Sequence, residues 1–151
     1  MDGADVAELR VVVRNLQDAP VDAALAVRAA ALAWGEPSED TSLSLILVDE
    51  PAIVALNREH CGRDRPTDVL AYAGEPDEEC AGEVVVCVTV AAEQAAEAQH
   101  DLDTEVAFLA AHGVLHLRGL DDHTEEGRRA MIARQTEIIR QLAAATGPPS
   151  C

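Results

Sequence analysis

Short apolar runs with β-branched residues alternate along the chain with longer stretches of helical period. Residues 9–14, LRVVVR, are bounded by polar positions and predict a first strand. Asp18 and Pro20 mark a helix start, alanine-rich 21–34 continues it, and Gly35 supplies the stop. Residues 43–48 begin with alternation and end as an apolar run, as expected of a strand buried on at least one face. Asp49 caps a short helix through Ala52, Ile53, Leu56 and Asn57, with Pro51 tolerated in its first turn. The residue before Pro66 is pushed away from helix, so a loop there leads into a third strand at 69–72. An acidic, mobile surface loop is expected over 74–82. A fourth strand follows at 83–88, close enough to the third to pair as an antiparallel hairpin.

From Val90 the pattern stays helical. A segment at 91–99 breaks at 100–103, where Asp103 is expected to cap the next helix, whose buried stripe is Val106, Leu109, Ala110, Gly113 and Leu117. Thr124, Glu125 and Glu126 begin a last helix, acidic where the helix dipole is positive. Met131, Ile132, Ile138, Ile139 and Leu142 make it amphipathic, and Gly147, Pro148 and Pro149 end it. Alternating helices and strands predict α/β layering with some parallel pairing. With no internal repeat or linker, residues 1–151 are expected to form a single domain, 146–151 being a flexible C-terminal tail.

Composition narrows the picture. Trp34, Tyr72 and Phe108 are the only Trp, Tyr and Phe, so the core must come from small aliphatic residues and helices must approach closely. No window reaches the length of apolar run a membrane span needs, and the N-terminus lacks a cationic leader, so a cytosolic protein is expected. Cys61, Cys80, Cys87 and Cys151 form no Cys-x-x-Cys pair and are expected to stay reduced. A net charge of −17 counts against long-range attraction of nucleic acid. All 11 basic residues are arginines, however. Eight of them gather in two regions: Arg58, Arg63 and Arg65, then Arg118, Arg128, Arg129, Arg134 and Arg140. Were the two to meet, their planar forks would suit phosphate. For 128–140 an ordinary solvated helix face fits at least as well.

The chemistry concentrates in HGVLHLRGLDDH at 112–123, which holds three of the five histidines. On a helix, His112 and His116 share one face and can offer two imidazole nitrogens to one ion. Gly119 lets the chain turn and bring His123 back. Two helix ligands and one from the following loop leave an open fourth position, as in catalytic zinc sites. His60 and His100 read as ordinary structural or surface histidines. Gly113 stands where zinc proteases of the His-Glu-x-x-His type carry their glutamate base, which ranks proteolysis below phosphodiester hydrolysis.

These blocks, with PTDVL at 66–70, GEVVV at 82–86 and EQA at 93–95, resemble the YbeY family of bacterial endoribonucleases in the family's own order, from about Leu9 to Leu142. The resemblance implies an α+β domain with a small mixed, mostly parallel four-stranded sheet flanked by helices. The metal site would lie on a central helix and the loop after it. It further implies one zinc ion on His112, His116 and His123 and cleavage of single-stranded RNA. The implied roles are maturation of the 3′ end of small-subunit ribosomal RNA and ribosome quality control. Ribosomal RNA and the small subunit or its proteins would be the partners, with no membrane and no DNA.

Two departures bear on the site. The family motif H-G-x-L-H-L-x-G-Y-D-H has one residue fewer between its second and third histidines, which puts Asp122 at the register of the third ligand. His123 is still the preferred ligand, because a loop after glycine absorbs one residue. The family's Tyr-Arg pair is replaced by His60 and Cys61, so Arg63, with Arg65, is the nearest stand-in for contact with substrate. The catalytic base is unassigned among Asp68, Asp121 and Asp122. A rival from another class is a ribosome-assembly partner without nuclease activity, whose acidic body docks on basic ribosomal proteins.

Overall fold

The computed structural model describes residues 7–75 and 79–146. Elements run β1 (Leu9–Asn15), α1 (Ala24–Trp34), β2 (Thr41–Val48), α2 (Glu50–Cys61), β3 (Val69–Ala73), β4 (Cys80–Cys87), α3 (Val88–Ala98), α4 (Leu102–Leu117) and α5 (Glu125–Thr146). The sheet order is β1-β2-β4-β3, with β1, β2 and β4 parallel and β3 antiparallel to β4. The α+β class, the mostly parallel four-stranded sheet and the β3–β4 hairpin are as expected from sequence.

Several boundaries differ, each for a local reason. α1 begins at Ala24, later than expected, because Asp22 Oδ1 accepts from Ala24 N at 3.0 Å and holds the preceding residues in a turn. β4 starts at Cys80, earlier than its apolar run, since backbone pairing with β2 and β3 carries Cys80, Ala81 and Gly82 into the sheet. The residue capping α4 is Asp101, whose side chain accepts from Thr104 N at 2.8 Å. Asp103 instead sits in the first turn and accepts from Asp22 N at 3.1 Å. The expected caps at Asp49 and Thr124 are present, accepting from Ala52 N at 3.2 Å and Gly127 N at 2.9 Å. The centre of the acidic loop, 76–78, and the tail at 147–151 lie outside the described residues.

Strand alternation sends successive residues to opposite faces of the sheet. Leu43, Leu45, Leu47, Val84 and Val86 join the larger cluster with α1, α4 and α5, whereas Ile46, Val48, Val85 and Cys87 pack with Ile53 of α2. The near absence of aromatics is met by alanine: α1 buries Ala26, Ala29, Ala30 and Ala33, and α4 buries Ala107, Ala110 and Ala111. α4 also lies hard against the sheet. A Cβ at Gly113 would stand 2.5 Å from Val84 Cγ1 and 3.3 Å from Val69 Cγ2. That closeness puts the C-terminal half of α4 beside the start of edge strand β3. Among the described residues no helix is long and apolar enough to cross a membrane.

Candidate metal centre

His112 and His116 project from one face of the last two turns of α4. The helix then closes: Arg118 N and Gly119 N donate to carbonyls of the last turn, and Gly119 takes φ +101°, a conformation glycine adopts without a side-chain clash. The returning loop lies against the first turn of α5, where a Cβ on Gly127 would meet Asp121 O at 2.5 Å. Arg128 Nη1 donates to the Asp122 carbonyl at 3.2 Å and ties the loop to that helix.

These elements bring three donors together. His112 Nε2 and His116 Nε2 are 3.1 Å apart, and Asp122 Oδ2 is 3.9 Å from His112 Nε2. One ligand atom from each of the three lies within 4.8 Å of the others. Ligands about 2.0–2.2 Å from a tetrahedral ion stand roughly 3.3–3.6 Å from one another. The group therefore fits a small divalent cation with little rearrangement.

Gln135 prepares one of the donors. It is buried on α5, its Nε2 donates to the Phe108 carbonyl at 3.1 Å, and its Oε1 faces His112 Nδ1 at 3.4 Å. With the amide nitrogen engaged by Phe108, the oxygen accepts from Nδ1–H, which leaves the His112 Nε2 lone pair directed at the donor group. Burial, and next the neighbouring His112, hold the pKa of His116 below its ordinary value. The neutral ring that results is the form that binds a metal.

The other expected residues fall around this group. His123 is exposed and outside the three-donor set, though near enough for its charge to act on His116. Its N–H donates to Asp121 Oδ1 at 3.1 Å, a contact that shapes the turn. Asp68 lines the cavity of about 210 Å³ around His112, His116 and Asp122, and Gln94 Nε2 donates to its Oδ2 at 3.2 Å. Arg63 and Arg65 line a separate hollow with Cys61, which shares only Thr67 with the lining of the metal cavity. Two residues of the site were missed by sequence reasoning. Gln135 looked like any polar residue on an amphipathic helix. Arg128 was placed only within a group of arginines that could equally be a solvated helix face, and its contact with the loop, one turn after the Thr124 cap, was not foreseen.

Fold and site together define a class: an α+β protein whose candidate metal centre combines two helix histidines with a loop carboxylate. The family profile described as Endoribonuclease YbeY matches residues 15–143. Endoribonuclease YbeY of Carboxydothermus hydrogenoformans is 42% identical over 136 residues, covering 86% of this chain and 95% of its own. That of Moorella thermoacetica is 44% identical over 125 residues, covering 75% and 80%. The solution structure of TM1509 from Thermotoga maritima superposes with a TM-score of 0.60 at 26% identity, covering 89% of each chain. The chain belongs to the YbeY family.

Proposed function

We propose that the protein is a zinc-dependent endoribonuclease that hydrolyses single-stranded RNA, acting in the cytoplasm on the 3′ end of small-subunit ribosomal RNA and in ribosome quality control. The observation that carries this reading is the His112, His116 and Asp122 donor group, open to a cavity that Asp68 also lines, in a chain of an endoribonuclease family. His112 and His116 would hold the ion, and a loop donor would complete the set. From sequence that donor was His123 first and Asp122 second; the distances favour Asp122. When bound, the ion would lower the pKa of a water and polarise a phosphoryl oxygen.

The remaining steps belong to side chains. Gln94 donates to one oxygen of Asp68 and no hydrogen bond reaches the other among the described residues, so Asp68 takes the proton of the attacking water as general base, while the P–O bond to the leaving ribose oxygen breaks and that oxygen takes a proton from solvent. Asp122 would be taken up by the ion, and Asp121 accepts from His123 N within its turn. Arg128 beside the loop neutralises charge developing on the phosphate, and Arg63 and Arg65 across Thr67 hold the strand further along. Gly113 leaves no glutamate beside His112, so peptide hydrolysis has no base at that place.

The test is purified protein without a histidine tag on structured RNA, with and without chelator, beside His116→Ala. Cleavage lost in both the chelated and mutant samples supports the reading. Cleavage that persists equally in all samples points to a contaminant and sinks it. The net charge of −17 favours the rival, a ribosome-assembly partner, through attraction to basic proteins. Binding to small-subunit proteins with no cleavage is the result that would select it.

A further inference from the structure

A second groove, of about 260 Å³, opens beside the metal cavity and shares His112, Asp122 and Asp68 with it. Its apolar wall is formed by Phe108, one turn before His112 on α4, and by Met131 and Ile132 of α5. Phe108 is the chain's only phenylalanine and is half-buried. Ile132 keeps 53% of its surface exposed, a large apolar side chain left open beside polar groups.

Arg128 stands at the rim. On the same helix Arg129 and Arg140 pair with Glu125 at 2.9 Å and Glu137 at 3.3 Å, whereas Arg128 pairs with no carboxylate among the described residues and donates to the Asp122 carbonyl. The acidic groups of the groove are already engaged. Glu105 is buried and bonded to His100 at 2.5 Å, Asp68 receives Gln94, and Asp122 belongs to the metal donors.

We infer that this groove is a nucleotide subsite: the base next to the cleaved phosphate lies against Phe108 and Ile132, and Arg128 holds a phosphate oxygen. The inference rests on the RNA-hydrolase reading and adds where the strand runs. An aromatic face with an apolar neighbour stacks any base, and a guanidinium fork matches phosphate oxygens. The groove is smaller than the roughly 300 Å³ at which sites for drug-sized ligands begin, so it suits one flat heterocycle. Its continuity with the metal cavity through His112 and Asp122 sets that base next to the reacting phosphate.

The test is NMR titration of the full chain, kept metal-free with chelator, using AMP and ribose 5-phosphate as probes. AMP should shift Phe108, Ile132 and Arg128 and bind about tenfold more tightly than ribose 5-phosphate. Phe108→Ala should remove that margin without changing ribose 5-phosphate binding, and so should Ile132→Ser, which alters an already exposed position and leaves the core intact. Arg128→Ala should weaken both probes. Equal binding of the two, shifts confined to the Thr67 and Leu70 side, or no binding of either would overturn the inference. Nucleotide binding at this groove in a protein that cleaves no RNA would keep the subsite and reject the hydrolase. Chelator-sensitive cleavage that is equally fast when the base beside the cut is removed would do the reverse.

Discussion

Gln135 Oε1 faces His112 Nδ1 from a different helix, which favours the tautomer whose Nε2 could take a metal. Replacing it with leucine keeps the volume but frees the His112 ring to turn. Removal of such an orienting partner costs about 10–100-fold in metal affinity. Gln135→Leu should show that loss in competition with a chromophoric chelator, with helix content retained by circular dichroism. Gly113 answers to packing instead. With Val84 2.5 Å from any Cβ, Gly113→Ala should cost about 1–3 kcal/mol in urea unfolding as α4 is forced off the sheet. The same closeness explains why no protease-like glutamate stands beside His112. The two helix histidines were legible from their spacing alone. The loop donor was not, because His123 and Asp122 are adjacent and only the path of the chain after Gly119 tells which one faces the histidines.

The elements depend on their ends. Asp101 accepts from Thr104, and these hydrogen bonds hold its carboxyl below the ordinary range. A depressed carboxylate stabilises the fold above its unfolded pKa, and that contribution is lost as pH falls through the folded value. Asp101→Ala should therefore destabilise α4 by about 0.5–2 kcal/mol near neutral pH. In thermal melts the gap between variant and parent should close in strongly acidic solution. Sequence reasoning placed this cap at Asp103, since either aspartate precedes the apolar stripe and only the bond to Thr104 separates them. Strand β1 was legible from its β-branched run, β2 from alternation passing into an apolar run, and β3 from the break that Pro66 imposes before it. The first residues of β4 were not, because Cys80, Ala81 and Gly82 have no strand pattern and are drawn in by neighbours on both sides.

At the scale of the whole molecule, an acidic body carries few cations at its candidate site. If Arg128, Arg63 and Arg65 make the phosphate contacts, the logarithm of RNA affinity should fall against that of salt with a slope no steeper than about −2, at roughly −0.7 per contact on single strands. Fluorescence anisotropy over a salt series reads that slope directly, and a much steeper one would mean a basic surface elsewhere in the chain. The layered α+β arrangement was legible because alternating elements and a family-wide order of motifs both pointed to it. How cavities join was not. Arg63 and Arg65 adjoin the metal group only through Thr67, while Arg128, distant from the histidines in the helical pattern, touches the loop itself.

The central claim is that His112, His116 and Asp122 form the metal centre, and metal content tests it most directly. Protein purified without a histidine tag should carry one zinc per chain by mass spectrometry of the metal, and so should His123→Ala. His112→Ala and Asp122→Ala should lose it. Retention of zinc in Asp122→Ala with loss in His123→Ala would contradict the account and return the third position to His123.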